Sequence, residues 1–470
     1  ENAVASSAMI ACCCIIALLL YSGRALLCNL LISYYVWKMY LTRPYVDMFT
    51  EKLSLTQSSY IAGNNAFFNP SDAAVVYLSL LSLLLAWLLG LLTVSPRKSS
   101  GRVYWLFREL DNIVLSLDWR LWFTLLVIGI VTYQSPTELW QSAVGAESAP
   151  LVAWGLLSMS TVFYVCLAGF LFSRQKRLGT KYYILLIPVS IEAILSVIGG
   201  GRSALLSVVV FTLAYWIYLN SNRYITYKDL TRLARLTLFL PVILLSGLAA
   251  QVIRPLLRTG VDSDVLWNTV LLNVNIFNPK NPLLQTVYFG VTELLHRLSS
   301  LQAQFQILND HWINVPWDTF NPLFTFQRVF NALWPGTVFP DMININQLFH
   351  HIYFGESINY ASHMFSIQGT LYLYFGLWIS PIVVFAIAVL TGRYYPTLGQ
   401  LSRTSPAFAT FFILLFLDLI ENGTLERVIP VDVVRPLVSF LVVICAVKVL
   451  NILVPQRKQH MRLSSAESFE

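Results

Sequence analysis

Five of the six histidines fall in one long polar stretch, residues 253–365, of a chain that is otherwise strongly apolar. They are His296, His311, His350, His351 and His363. A histidine has an unperturbed pKa of about 6.5, so at neutral pH it can take a proton from a hydroxyl group. Polar groups beside a membrane are energetically costly to place, so a concentration of them usually marks a functional site. We therefore expect the chemistry of this protein in this stretch.

His363 stands at the exit of the stretch, just before an apolar segment that begins near residue 366. At the depth of the membrane surface, a histidine suits proton abstraction from a hydroxyl group, and Glu356 lies seven residues before it. The alternative is an interfacial histidine that fills a polar belt at the membrane surface.

Arginines stand at the other end of the stretch and in a nearby turn. Arg254 and Arg258 are four residues apart, so on a continued helix they share a face and form a fork suited to a phosphate or diphosphate. Arg202 follows Gly199, Gly200 and Gly201. Glycines adopt backbone conformations closed to other residues, which leaves backbone N–H groups exposed beside the N-terminus of the next helix. The alternative for Arg254 and Arg258 is that their side chains reach out to lipid headgroups. The alternative for the glycine–arginine turn is a tight helical hairpin with no binding role.

A helix is predicted over residues 286–308, with an apolar stripe of leucines and one phenylalanine at three- and four-residue spacing. Glu293 and Arg297 form an i,i+4 pair beside His296 on this helix. Glu293 is either an acid/base group or part of a solvated helix face.

No metal site is predicted, because His350 and His351 are neighbours that point apart and the six cysteines all lie in apolar segments.

The elements that must position these residues are membrane helices. Hydrophobic residues make up 56% of the chain, charged residues 12%, and the mean hydropathy is +0.64, which excludes an ordinary soluble protein. We predict an all-α polytopic membrane protein with about eleven spans of the length that a bilayer requires. The approximate spans are 3–20, 25–42, 72–94, 120–134, 150–172, 182–198, 203–219, 234–252, 366–391, 406–421 and 434–453.

Basic residues predict the orientation. Eighteen of the 31 lysines and arginines lie on alternate connections near 95–120, 173–181, 220–235 and 392–405 and in the tail 454–470, which the positive-inside rule places in the cytoplasm. The chain then divides into eight spans (1–252), a large external loop (253–365) and three spans (366–453) before that tail. The net charge of +7 is mostly this topology signal, and nucleic-acid binding is not expected.

Glu192 and Asp418 lie within spans and need partners, for which Arg202 and Arg427 are candidates.

Three features resemble the bacterial O-antigen or oligosaccharide repeat-unit polymerases (Wzy type), within the wider group that includes the O-antigen ligases. They are the glycine–arginine turn ending in Arg202, the large external loop two-thirds along the chain, and the loop exit from Ser362 through Gly369 and Tyr372 to Gly376. The chain departs from the pattern in having three glycines before the arginine and Trp378 where a small residue is more usual.

The resemblance implies a metal-independent and cofactor-independent glycosyltransferase of the bacterial inner membrane, with its site facing the periplasm. Its partners would be undecaprenyl-diphosphate-linked glycan donor and acceptor, membrane lipids and a chain-length regulator protein. The diphosphate would be bound by Arg202, Arg254, Arg258 and Arg297. His363 would be the base, with Glu293 or Glu356 as the substitute. A ligase of the same superfamily and a non-enzymatic flippase or transporter remain alternatives.

The predicted orientation can be tested by labelling. A cysteine introduced at Ser299, in the long polar loop, should react with a membrane-impermeant thiol reagent in intact cells whose outer barrier has been made permeable. A background in which the six native cysteines are replaced by serine or alanine supplies the control. Labelling that requires lysed cells would mean that the topology is inverted.

Overall fold

The computed structural model describes residues 2–41, 70–97, 104–131, 159–176, 179–191, 202–220, 366–422 and 428–454, together with Leu308 and Gln327. Of these residues 93% are helical and none is in a strand. The helices are α1 (Asn2–Tyr21), α2 (Leu26–Val36), α3 (Pro70–Thr93), α4 (Trp105–Ser116), α5 (Trp119–Val131), α6 (Met159–Gln175), α7 (Lys181–Ile191), α8 (Arg202–Asn220), α9 (Ser366–Thr404), α10 (Pro406–Asn422) and α11 (Arg435–Leu453). Two π-helical turns, Trp37–Leu41 and Ile429–Val434, follow α2 and precede α11.

The prediction of a helical fold with several apolar helices long enough to cross a membrane is confirmed. Four helical stretches in the described part of the chain are long and apolar enough to cross a bilayer: Ala3–Tyr21, Ala73–Thr93, Tyr374–Thr404 and Asp432–Leu453. Helices α4 and α5 form a fifth if they are counted as one span, although they meet at an angle of 106°. The count of eleven spans stays a prediction, and the predicted span 234–252 lies outside the described residues, as does all of the long loop except Leu308 and Gln327.

Helix α3 is central to the packing, because α1 and α9 both lie against it. The contact with α9 is close at Gly90, where a Cβ atom would lie 2.6 Å from the Cβ of Ala388 and 2.7 Å from the carbonyl oxygen of Phe385. Small residues at such a crossing let two backbones approach, which gains dispersion contacts that lipid cannot supply. Only a hydrogen atom fits at this position.

Buried polar side chains fix the neighbouring helices. The amide of Asn29, which is fully buried, donates to the carbonyl oxygens of Leu19 and Arg24, and its oxygen accepts from the indole N–H of Trp87 at 3.0 Å. This one residue therefore joins α1, α2 and α3. The carboxylate of Asp111 in α4 accepts from the hydroxyl of Ser405 at 2.5 Å and from the backbone N–H of Ala407 at 2.8 Å. It thus caps the N-terminus of α10, where free N–H groups need an acceptor.

Several contacts identify one end of the bundle. The guanidinium of Arg24 donates to the carbonyl oxygens of Leu91 and Val94 at the end of α3, and the N–H of Arg97 donates to the carbonyl oxygen of Arg393. The basic residues gathered here are Arg24, Arg97, Arg108, Arg120, Arg174, Lys176, Lys181, Arg393, Arg403 and Lys448. We call this the basic end of the bundle and the opposite one the cavity end. The predicted placement of the basic connections on one side of the membrane requires eight of these residues, all except Arg24 and Lys448, to share one end, and those eight do. The side of the membrane that this end faces stays a prediction.

A matched pair of glycine substitutions tests the α3–α9 crossing. Gly90→Ala should destabilise the protein by about 1–3 kcal/mol, because the new methyl group meets the backbone of α9. Gly129→Ala is the control, since nothing lies within 4 Å of the added Cβ in α5, and the better helix propensity of alanine should leave its stability equal or slightly higher. Thermal unfolding of the purified variants in detergent measures the difference. Equal unfolding midpoints for the two variants would contradict the close crossing.

Candidate functional site: a polar cavity beside the loop exit

The long loop re-enters the bundle at Ser366, where a buried hydrogen-bond network begins. The backbone of Ser366 has a φ of 57°, a left-handed conformation that residues other than glycine adopt at a cost of roughly 1–2 kcal/mol. Its hydroxyl lies 2.7 Å from the hydroxyl of Tyr35, which in turn lies 2.9 Å from that of Tyr40. All three side chains are buried. The strained first residue of α9 is therefore held by Tyr35 in the last turn of α2, which is hydrogen-bonded in turn to Tyr40 in the turn that follows.

Gln368 extends the network from α9 to α3. Its amide oxygen accepts a hydrogen bond from the hydroxyl of Tyr40, and its amide nitrogen donates to the hydroxyl of Ser79 at 2.5 Å and to the carbonyl oxygen of Val76 at 3.3 Å. One turn later, the hydroxyl of Tyr372 donates to the carbonyl oxygen of Ser79 at 2.8 Å. A run of polar side chains this deep in an apolar bundle is tolerated because the groups satisfy one another.

Helix α9 is broken ten residues after it begins. Gly376 has a φ of 70° and a ψ of −180°, a combination essentially confined to glycine. The hydroxyl of Ser380 bridges the break by donating to the carbonyl oxygens of Leu371 and Gly376. The segment 366–375 is consequently a short helix fixed by its own polar contacts, and the long apolar helix that can span a membrane continues from it.

The π-helical turn Trp37–Leu41 connects this network to a second polar region. Tyr40 points into the network, while the ammonium group of Lys38 in the same turn lies 2.7 Å from the carboxylate of Glu421 at the end of α10. Both members of this ion pair are largely shielded from solvent, with side-chain exposures of 12% and 20%. The turn therefore ties the loop exit to the end of α10.

Glu421 lines a cavity of about 250 Å³ at the cavity end of the bundle. Five helical elements contribute to its walls: α2, α6, α8, α10 and the start of α11 with the turn before it. The lining residues are Tyr34, Ser160, Thr161, Tyr164, Val210, Phe411, Leu414, Leu417, Asp418, Glu421, Asp432 and Pro436. Three carboxylates, four hydroxyl groups and three aromatic rings thus face one space inside an apolar bundle, which is the usual composition of a binding site for a small polar molecule.

The structure describes only one of the site residues predicted from the sequence, Arg202. Helix α8 begins at Arg202, as expected from the glycine turn, and its side chain is not described. The other end of α8 lies at the basic end, because Leu219 accepts from the amide of Gln175 and Tyr218 donates to the carbonyl oxygen of Gly399. Arg202 is therefore at the cavity end. The remaining predicted site residues lie outside the described residues: Arg254, Arg258, Glu293, Arg297, Glu356 and His363.

Sequence reasoning missed most of the cavity. Asp418 was expected only to need a charged partner, and it lines the cavity wall. Glu421 lies three residues later, so both carboxylates share a face of α10, which is a detectable signal. Asp432 and Tyr34 come from other elements, and no local pattern in the sequence relates them to α10.

Matched glutamine substitutions in α9 test the network. Gln368→Leu should destabilise the protein by about 1–3 kcal/mol, because the Tyr40 and Ser79 hydroxyls lose their shared partner in a buried setting. Gln400→Leu lies on the exposed surface of the same helix and should change stability by no more than about 0.5 kcal/mol. Thermal unfolding in detergent is again the measurement. A Gln368→Leu variant as stable as Gln400→Leu would show that the network does not fix the loop exit.

Comparisons of the chain with protein-family models, with curated proteins and with solved structures found no match.

Proposed function

We propose that the protein is a glycosyltransferase that polymerises oligosaccharide repeat units carried on undecaprenyl diphosphate. The observation that supports this function is the meeting, at one end of an apolar bundle, of three elements that the chemistry needs. They are the start of α8 at Arg202, the fixed loop exit at Ser366, and the polar cavity lined by Asp418 and Glu421. A reaction on a lipid-linked sugar requires polar groups at the membrane surface beside apolar helices, and this end of the bundle combines both.

The proposed orientation follows from charge. The basic end collects ten described lysines and arginines, and the positive-inside rule assigns such an end to the cytoplasm. The cavity end then faces outward, toward the periplasm of a bacterial inner membrane. Helix α9, which follows the long loop 253–365 in the chain, begins at this end, so we place the loop histidines and arginines on the same side as the cavity.

The proposed reaction is a single displacement of a diphosphate. An acceptor hydroxyl oxygen attacks the anomeric carbon of the donor sugar, a new C–O bond forms, and the bond from that carbon to the carrier diphosphate breaks. The diphosphate leaves with the electron pair, and Arg202, Arg254, Arg258 and Arg297 are proposed to neutralise its charge. The proton of the acceptor hydroxyl passes to His363, or to Glu293 or Glu356 in its place.

One observation favours a transporter as the second candidate. Broken helices beside a polar cavity are typical of secondary transporters, and α9 is broken at Gly376 close to the network that holds the loop exit. A transporter of lipid-linked oligosaccharides would move its cargo across the membrane without forming a glycosidic bond. Product analysis separates this activity from polymerisation, because only the enzyme yields longer lipid-linked chains.

Arg202 offers the sharpest test. Purified protein in lipid nanodiscs, incubated with a lipid-linked repeat unit, should convert it to longer chains, which gel electrophoresis or mass spectrometry detects. Arg202→Ala should slow chain extension by about 10²–10³-fold, the usual cost of removing one group that stabilises developing charge. Arg202→Lys should restore little of the rate, because a point charge lacks the planar fork that meets two phosphate oxygens.

Arg393→Ala provides the matched control, since Arg393 is exposed at the basic end and should leave the rate unchanged. Wild-type protein that yields no longer chain but moves the lipid-linked unit across the bilayer would replace the enzyme proposal with the transporter. Transfer only to a different acceptor, such as lipid A core, would indicate a ligase. Full activity of Arg202→Ala would leave the glycine–arginine turn a purely structural feature.

A further inference from the structure

The cavity at the end of α10 has walls of two chemical kinds. Tyr34, Tyr164 and Phe411 present aromatic rings, and the hydroxyls of Ser160 and Thr161 add groups that both donate and accept hydrogen bonds. The three carboxylates, Asp418, Glu421 and Asp432, come from two different elements, α10 and the turn before α11. A ligand that fits this space must offer several donors and acceptors together with an apolar face.

The three carboxylates of the cavity are not arranged as a metal site. A metal ion needs several ligand atoms within about 2.0–2.6 Å of a common centre. Among the described residues, no group of three histidine, cysteine, aspartate or glutamate side chains is placed to hold a metal ion. Glu421 is already paired with the ammonium group of Lys38 at 2.7 Å. The mixture of carboxylates and hydroxyls in the lining suits a ligand with several hydrogen-bonding groups.

The volume limits the size of that ligand. A cavity of about 250 Å³ holds roughly eight water molecules at a share of about 30 Å³ each. This lies below the range of about 300–1,000 Å³ typical of pockets for drug-sized molecules. A space of this size accommodates one sugar ring with its hydroxyl groups, whereas a polyprenyl chain is far too long for it.

We propose that this cavity binds one uncharged sugar residue, the terminal residue of the acceptor chain, through its hydroxyl groups and the apolar face of its ring. The identification of that sugar as part of the acceptor rests on the proposed glycosyl transfer, whereas the binding of a sugar does not. Sugar hydroxyls donate to the carboxylates of Asp418 and Glu421 and accept from Ser160 and Thr161, and the ring lies against Tyr34 or Tyr164. A polyamine meets the carboxylates but is the poorer match, because it has no ring face to lie against Tyr34 or Tyr164.

Ligand binding can be measured without any lipid-linked substrate. Purified protein in detergent is titrated with methyl glycosides of neutral hexoses and N-acetylhexosamines, and the thermal unfolding midpoint is followed. A ligand that binds only the folded state raises this midpoint in a saturable way. At least one glycoside should do so at millimolar concentration, whereas spermidine should not.

Two variants locate the binding. Leu414→Trp fills the cavity and should weaken glycoside binding at least tenfold, while Leu415→Trp, on the same helix but outside the cavity lining, should bind as the wild type does. Thr161→Val removes one hydroxyl with little change of shape and should weaken binding about threefold to tenfold, which keeps the test valid if Leu414→Trp does not fold. Equal binding by all three variants, stabilisation by spermidine alone, or no response to any glycoside would overturn the proposal.

The same variants separate this proposal from the proposed function. If Leu414→Trp loses glycoside binding while the wild type extends no lipid-linked chain, the sugar site stands and polymerisation fails. If Leu414→Trp extends chains at the wild-type rate, polymerisation stands and the cavity is not the acceptor site. A rise in the apparent KM for the acceptor, with kcat nearly unchanged, is the result that supports both.

Discussion

Hydrogen bonding between side chains inside an apolar medium is the constraint on which this structure depends. A polar group buried without a partner costs several kcal/mol, and in a bilayer water does not supply one. Asn29, Asp111 and Gln368 each meet this constraint by joining helices that are far apart in the chain. Apolar packing against lipid tails distinguishes poorly between one helix arrangement and another, so these few polar contacts select the arrangement that forms.

The same constraint explains why the cavity is informative. Carboxylates and hydroxyls lining a space within the bundle are expensive to maintain, and a purely structural bundle would replace them with leucine or phenylalanine at little cost. Here they lie beside an ion pair, Lys38 with Glu421, and beside the anchored loop exit. A glycosyltransferase and a transporter would both use such a space, the first to hold an acceptor and the second to hold cargo, which is why the product formed, and not the fold, decides between them.

The sequence predicted the helical membrane class, most helix positions and the grouping of basic residues at one end, because hydropathy and charge act over short stretches of chain. The start of α8 at Arg202 could be predicted for the same reason, since a glycine turn is a local signal. The cavity could not be predicted, because Tyr34, Tyr164 and Asp432 come together only through packing of helices whose apolar faces look alike in sequence. The break at Gly376 was likewise hidden, since a glycine inside an apolar run is common and only its backbone angles reveal the break.

The network at the loop exit also has a consequence for biogenesis. Ser79 and Gln368 are 289 residues apart, so at a synthesis rate of about 5–20 residues per second α3 waits roughly 15–60 s in the membrane before its partner emerges from the ribosome. During that interval the serine hydroxyls of α3 need hydrogen-bond partners other than α9. Ser79 and Ser82 have such partners, because each donates to a carbonyl oxygen three residues earlier in its own helix, at 2.8 and 2.7 Å. These hydrogen bonds allow α3 to be inserted alone, and the hydroxyls of Ser79 and Ser82 can still pair with the amide of Gln368 and the hydroxyl of Tyr372 when α9 arrives.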